Sequence, residues 1–209
     1  MWLLKPLDDI LSSGAKVKIL RAMALAPAPH NGREISRRAG TDPGYTSRVL
    51  AELVASGVVA KREQGRVNTY RITDECLDLI DRLIQLFAAE SERSERAIGE
   101  LARALPEARS IILYGSEARG EAEPGSDTDI LIVFEQRTAD LDDMVADACL
   151  KLAERYSLSL SWHVADVARM REWEVADNDF WRNVQRDGVT LAGDSIERLR
   201  HRWLTGRAS

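Results

Sequence analysis

The stretch LYGSEARGEAEPGSDTDILIVFE, residues 113–135, constrains the fold of this chain more than any other segment. Its lead-in, ARSIILYGS, reads as a buried strand running into a Gly-Ser turn, and SEARGEA reads as the first turns of a helix beginning at Ser116. PGSDTDILIVF follows as a turn and then an apolar strand, whose alternation puts Asp127 and Asp129 on one face. A strand, a Gly-Ser turn and a helix N-terminus offer backbone N–H groups to an anion, most often a phosphate.

Two carboxylates two residues apart on a strand make one doubly negative patch. Keeping both ionised beside a core is costly unless a cation neutralises them. Magnesium suits such a patch, because it takes carboxylate oxygens, keeps several waters and completes its shell with substrate phosphates. The structural alternative is a pair of Asx-turn residues capping a loop, and the Gly-Ser turn upstream argues against it.

A chain of 209 residues can hold two small domains. No apolar run approaches the roughly 18 to 20 residues that span a bilayer, and MWLLKPLDDILSSG lacks the features of a signal peptide, so a cytoplasmic protein without a membrane partner is expected. Cys76 and Cys149 stand far apart with no C-x-x-C neighbour, and read as reduced core thiols. His30, His163 and His201 show no zinc-site spacing. Charge divides unevenly. Residues 1–74 hold 12 Lys and Arg against 7 Asp and Glu, whereas residues 75–209 hold 17 against 27. The basic front third points to a polyanionic partner for that part alone.

Within it, AKVKILRAMAL sets Val17, Leu20, Met23 and Ala24 on one helical face, ended by the Pro27 and Pro29 loop. GREISRRAG is a short helix closed by Gly40. In TDPGYTSRVLAELVASGVV, Thr41 or Asp42 caps a helix with Pro43 in its first turn, and Val49, Leu50, Leu53 and Val54 form the buried stripe. Two β-prone runs, 58–61 and 68–72, flank the turn EQGR. Helix, helix, helix, hairpin is the order of a winged helix-turn-helix. Residues 12–74 resemble the DNA-binding domains of MarR-like and ArsR-like regulators, most specifically in TSRVLAELVASGVVAKREQGRVNTYRIT. The resemblance implies that Tyr45, Thr46, Ser47 and Arg48 face base edges of double-stranded DNA, with Arg37, Arg38, Lys61, Arg62 and Arg66 on phosphates. The alternative is a winged helix that contacts protein, its basic residues forming a solvated face.

Between Asp74 and Leu105, Leu77, Ile80, Ile84 and Phe87 keep helical spacing, ESERSER turns polar, and Ile98 and Leu101 resume the pattern. This is a long helix or a broken pair, and homodimerisation through it fits the half-site symmetry of DNA readers.

With both halves of its motif at the usual spacing, LYGSEARGEAEPGSDTDILIVFE resembles the signature G-S-x-A-R-G followed by S-D-x-D of minimal nucleotidyltransferases in the DNA polymerase beta-like superfamily. The resemblance implies an α/β (α+β) chain of three parts: a winged helix-turn-helix at 1–74, a connecting helix at 75–104, and a mixed sheet flanked by helices at 105–209. It implies nucleotide binding by Gly115, Ser116, Arg119 and Ser126, and a catalytic pair, Asp127 and Asp129, binding Mg2+ or Mn2+. The implied reaction moves a nucleoside monophosphate from a triphosphate, ATP foremost, to a hydroxyl, which a partner protein carries in antitoxin-like members.

The family places a third carboxylate on a later strand. Here that strand is SLSLSWHVAD, whose Ser159, Ser161 and His163 share a face, while Asp166 and Glu135 lie off the obvious position. A neutral His163 could deprotonate an acceptor or merely pack. Trp173, Phe180 and Trp181 read as core. Two functions follow: a DNA-binding regulator with a magnesium-dependent nucleotidyltransferase domain, or a transcription factor whose nucleotidyltransferase domain has become a nucleotide sensor or scaffold. Transfer to a small molecule such as an aminoglycoside needs an acceptor cleft that so short a domain does not obviously provide.

Overall fold

The computed structural model describes residues 7, 10–26, 29–64, 67–74, 77–123 and 125–205; Cys76 and, in the EQGR turn, Gly65 and Arg66 lie outside them. The chain divides into two compact units, Met1–Arg93 and Ser94–Ser209. Among the described residues no helix is long and apolar enough to cross a membrane.

In the first unit, α1 (Gly14–Ala24) starts where Ser13 accepts a hydrogen bond from the Lys16 amide at 3.2 Å. Its buried face is Lys16, Ile19, Leu20 and Met23, with Val17 and Ala24 only half-buried. The inward stripe is therefore rotated from the expected one, because the Lys16 stem is buried while its ammonium pairs with Glu52 at 3.2 Å. After β1 (His30–Asn31), α2 (Gly32–Ala39) is capped by Asn31 and closed by Gly40 at φ 60°. Helix α3 (Pro43–Ala55) is capped by Asp42, whose carboxylate accepts from the Tyr45 amide at 2.9 Å.

Strands β2 (Val59–Gln64) and β3 (Val67–Ile72) form an antiparallel hairpin, and β1 joins it in the order β1-β3-β2. Three helices and a hairpin around Ile19, Leu20, Leu50, Leu53 and Val59 make a winged helix-turn-helix. The connector is one helix, α4 (Leu77–Ala104). Leu83 and Phe87 belong to the first core and Leu101 to the second, so the connector is not a separate body; the side chains of Leu77 and Ile80 are outside the description.

The second unit is built on a four-stranded mixed sheet. Its elements run β4 (Ser110–Tyr114), α5 (Gly115–Ala118), β5 (Thr128–Phe134), α6 (Ala139–Tyr156), β6 (Leu160–Asp166), α7 (Val167–Val175), α8 (Asp179–Asp187), β7 (Val189–Gly193) and α9 (Ile196–Thr205). The order is β6-β5-β4-β7; β5 and β6 are parallel, and β4 is antiparallel to both its neighbours.

Alternation along β5 supplies both faces of the sheet. Ile130, Ile132 and Phe134 pack with Leu141, Val145, Cys149 and Leu152 of α6, where burial pushes the Cys149 thiol up to about 11. Leu131 and Val133 pack on the other face with Met170, Trp181, Val184 and Leu199. Trp181 is core, whereas Trp173 and Phe180 are half-buried at its margin.

Candidate active site

Asp129 lies on the β5 face that continues inward as Leu131 and Val133, at the end of the strand where that core runs out, and Asp127 directly precedes the strand. Asp127 is exposed and Asp129 half-buried. Asp129 sits in register with Tyr114 of β4 on one side and Ser161 of β6 on the other. Gly115 turns the chain at φ 77°, and a Cβ there would collide with Asp129 Oδ2 and come within 3.2 Å of its Cγ. The glycine is needed twice over, for the left-handed backbone and for the close approach of the carboxylate.

The turn after Gly115 is tied to the start of β5. Thr128 donates through Oγ1 to Glu117 at 2.6 Å and through its amide to the Ser159 carbonyl at 2.7 Å, while Ser159 Oγ donates to Asp127 Oδ1. Helix α5 is a single turn, shorter than the helix expected from Ser116 onward, because Gly120 at φ 70° ends it. Ser116 is half-exposed at its start.

Arg119 donates to Glu121 at 2.7 Å and lies 3.8 Å from Asp187 of α8. Asp187 is mostly buried, and Arg186, then Arg119, hold its carboxyl below the ordinary carboxylate range. Arg119 thus fastens the turn to α8. Ser126 accepts from the Glu123 amide at 3.0 Å and closes the loop ahead of Asp127.

Neither off-position carboxylate joins the pair. Asp166 faces Phe134 at the opposite end of the parallel ladder and caps α7 through the Arg169 amide at 2.8 Å; Glu135 pairs with Arg109 at 2.9 Å. Among the described residues no group of three His, Cys, Asp or Glu side chains is placed to hold a metal ion. The neighbours on that side are instead aromatic. Tyr114 OH lies 2.9 Å from His163 Nδ1, and Phe180 lies 5.2 Å by ring centroids from Tyr114, His163 and Trp173. Burial, with the Asp129 charge adding to it, pushes the Tyr114 phenol up to about 12. Tyr114 and Phe180 were not foreseen as neighbours of the site; the signal available for Tyr114 is its place directly before Gly115.

Comparison with known proteins bears on this geometry. The nucleotidyltransferase domain model matches residues 94–183. A Methanocaldococcus jannaschii protein named "Putative protein adenylyltransferase" is 41% identical over 106 residues, spanning 46% of this chain and 96% of that protein. The chain belongs to the nucleotidyltransferase family.

The IclR helix-turn-helix domain model matches residues 17–63, so the front of this nucleotidyltransferase carries a DNA-binding helix-turn-helix domain; the matching model is IclR where the sequence resembles MarR-like and ArsR-like domains. Among solved structures, a toxin-antitoxin crystal structure with AMP-PNP is 19% identical with a TM-score of 0.39, covering 53% of this chain and 82% of that one. A homodimeric winged helix-turn-helix domain from Mycobacterium bovis is 22% identical with a TM-score of 0.36, covering 44% of this chain and 82% of that one.

A nucleotidyltransferase uses a nucleoside triphosphate and a divalent metal, and the residues present fit such an ion. The donors are hard carboxylate oxygens, Gly115 leaves Asp129 the space a side chain would fill, and among the described residues no Lys, Arg or His side chain pairs with either aspartate.

On the helix-turn-helix domain, Tyr45, Ser47 and Arg48 are exposed on α3, and the Arg48 guanidinium stacks 5.3 Å from the Tyr45 ring centroid. Thr46 corrects the expectation that it faces base edges. It is fully buried, with Oγ1 donating to the Asp42 carbonyl at 2.8 Å and meeting Thr41 Oγ1 at the same distance. Its position three before Val49 and four before Leu50 puts it on the stripe that faces the core. Arg37, Lys61 and Arg62 are exposed; Arg38 pairs with Glu34 at 3.0 Å and Lys61 with Glu63 at 3.2 Å.

Proposed function

We propose that this nucleotidyltransferase transfers the adenylyl group of magnesium-ATP to a hydroxyl of a partner protein, and that its helix-turn-helix domain binds DNA to regulate transcription. The observation that carries the first half is the contact between the Cβ-less Gly115 and the Asp129 carboxylate, with Asp127 exposed beside it at the end of β5. The relative's name, protein adenylyltransferase, supports ATP as donor and protein as acceptor.

Asp127 and Asp129 are the residues that would hold magnesium, which when bound neutralises phosphate charge and draws electron density from the α-phosphorus. Ser159 orients Asp127 through its hydrogen bond, and the Gly115 turn sets Asp129. Gly115 and Ser116 present the backbone and hydroxyl groups that meet the triphosphate, Arg119 keeps their turn anchored to α8, and Ser126 shapes the approach to the aspartates. As the test, the full-length chain is incubated with ATP labelled on the α-phosphate and the proteins of the source cell. Label on protein with pyrophosphate released is the expected result; label following the γ-phosphate instead would refute nucleotidyl transfer.

Tyr45, Ser47 and Arg48 are proposed to read base edges and Arg37, Arg38, Lys61, Arg62 and Arg66 to contact phosphates, in a homodimer whose two α3 helices meet successive half-sites. Leu86, 62% exposed on α4, is the apolar residue such a dimer would cover. Sedimentation showing only monomer at tens of micromolar would contradict the dimer.

A second reading has one observation in its favour. Ser161 occupies the register position beside Asp129 on β6, the strand expected to bring a third carboxylate. On that reading the domain binds nucleotide without turnover and acts as a sensor; nucleotide-dependent DNA affinity without any adenylylated product would support it.

A further inference from the structure

The side of β6 that faces the aspartates holds more than serines. His163 follows Ser161 by one pleat, about 6.6 Å along the strand, and sits in register with Leu131. Its ring is exposed rather than packed into the core, lies at 34° to Phe180, and brings Nδ1 to 2.9 Å from the Tyr114 hydroxyl. Tyr114 is itself the register partner of Asp129. Phenol, carboxylate and imidazole therefore come from three adjacent strands, β4, β5 and β6, with the Tyr114 hydroxyl reaching across β5 to the His163 ring. Phe180 meets both rings at 5.2 Å and limits their movement. With Nδ1 engaged by the phenol, Nε2 is the ring nitrogen left to face a substrate.

Resting on the nucleotidyltransferase reading above, we propose that His163, held by Tyr114, accepts the proton of the incoming hydroxyl and so serves the acceptor where, among the described residues, no third carboxylate joins the aspartate pair. As the hydroxyl oxygen bonds to the α-phosphorus, its proton passes to Nε2. The bond from the α-phosphorus to the bridging oxygen breaks, and pyrophosphate leaves with that electron pair. In this arrangement Nδ1 keeps its proton throughout and donates it to the Tyr114 oxygen, leaving Nε2 as the proton acceptor; the imidazolium then returns the Nε2 proton to solvent. Phenol and imidazole have no such job in a merely structural aromatic cluster, where either tautomer would pack equally well.

The first readout needs no acceptor. In the full-length chain labelled with 15N-histidine, with and without magnesium and AMP-PNP, His163 is expected as the neutral Nδ1–H tautomer with Nε2 unprotonated, assigned by its loss in His163→Gln. Tyr114→Phe should abolish that preference.

The second readout follows conversion of α-labelled ATP to AMP, with water as the acceptor probe. His163→Gln should lower kcat about a hundredfold with the KM for ATP little changed, and adding Ser161→Asp should recover much of the loss by restoring a carboxylate beside Asp129. A wild-type chain that binds magnesium-ATP but carries its His163 proton on Nε2, or a His163→Gln variant that turns over like wild type, would overturn the proposal and leave the nucleotide site standing. A wild-type chain that binds no magnesium-ATP would overturn the reading beneath it.

Discussion

The two units use opposite strategies to present chemistry. In the helix-turn-helix unit, the groups proposed to meet DNA are long exposed side chains on a helix and a wing, each free to be changed without disturbing the core behind them. In the nucleotidyltransferase unit, the reactive carboxylates sit two and four residues before Leu131, at the entry of a strand that is fully buried from Ile130 onward, with a glycine pressed against one of them. The basic surface of the first tolerates substitution in small steps; the acidic site of the second does not tolerate a methyl group. Charge follows the same division, positive where a polyanion would be gripped and negative where a cation would be held.

The comparison can be broken first at Gly115. Gly115→Ala adds a methyl that must displace the Asp129 carboxylate and imposes a left-handed backbone on an L residue, so magnesium-dependent nucleotide binding should fall below detection while DNA affinity stays at the wild-type value. Equal loss in both activities would mean that the variant is unfolded or that the two sites are not separable. Leu131→Ala, on the same strand face but inside the core, should cost about 2 to 5 kcal/mol of stability in chemical denaturation. A loss below that range would show that the core behind the site is loosely built.

On the other unit, effects should be smaller. Arg48→Ala should weaken binding to the cognate site by about 1 to 3 kcal/mol and leave non-specific binding nearly unchanged; a uniform loss across sequences would place Arg48 on phosphates instead. Asp42→Ala removes the cap of α3 and should lower stability by about 1 kcal/mol.

The smallest expected effect is a pH dependence. His30, then Arg38 and Arg37, hold the Glu34 carboxyl below its ordinary value despite some desolvation. Its folded-state value is thus depressed, so its contribution is complete above the ordinary glutamate range and is lost as the pH falls through the lower folded value. Glu34→Gln should flatten that part of the acid limb in thermal melts; an unchanged slope would remove Glu34 from the account.

How much of this was legible in the sequence follows from how local each feature is. Gly115, Asp127 and Asp129 lie within fifteen residues, and a turn followed by strand alternation is enough to place them together. The caps at Asn31 and Asp42 and the closure at Gly40 are equally local. Tyr114, His163 and Phe180 come from β4, β6 and α8, and only the register of the sheet joins them, which no periodicity reports. The two-residue β1 is too short to carry a pattern. Thr46 is a different kind of miss. Its spacing to Val49 and Leu50 marks the buried stripe, but its chemistry and its position near the start of α3 suggested a base contact; the hydrogen bonds to Asp42 and Thr41 satisfy the hydroxyl inside the core.

The central claim, that the two aspartates and the Gly-Ser turn form a working metal-nucleotide site, is tested most directly by calorimetric titration of ATP with and without magnesium into the wild-type chain and into Asp127→Asn/Asp129→Asn. The account predicts magnesium-dependent binding that the double variant loses while keeping its fold and its DNA affinity. Binding of equal strength in the double variant, or none in the wild type, would contradict it.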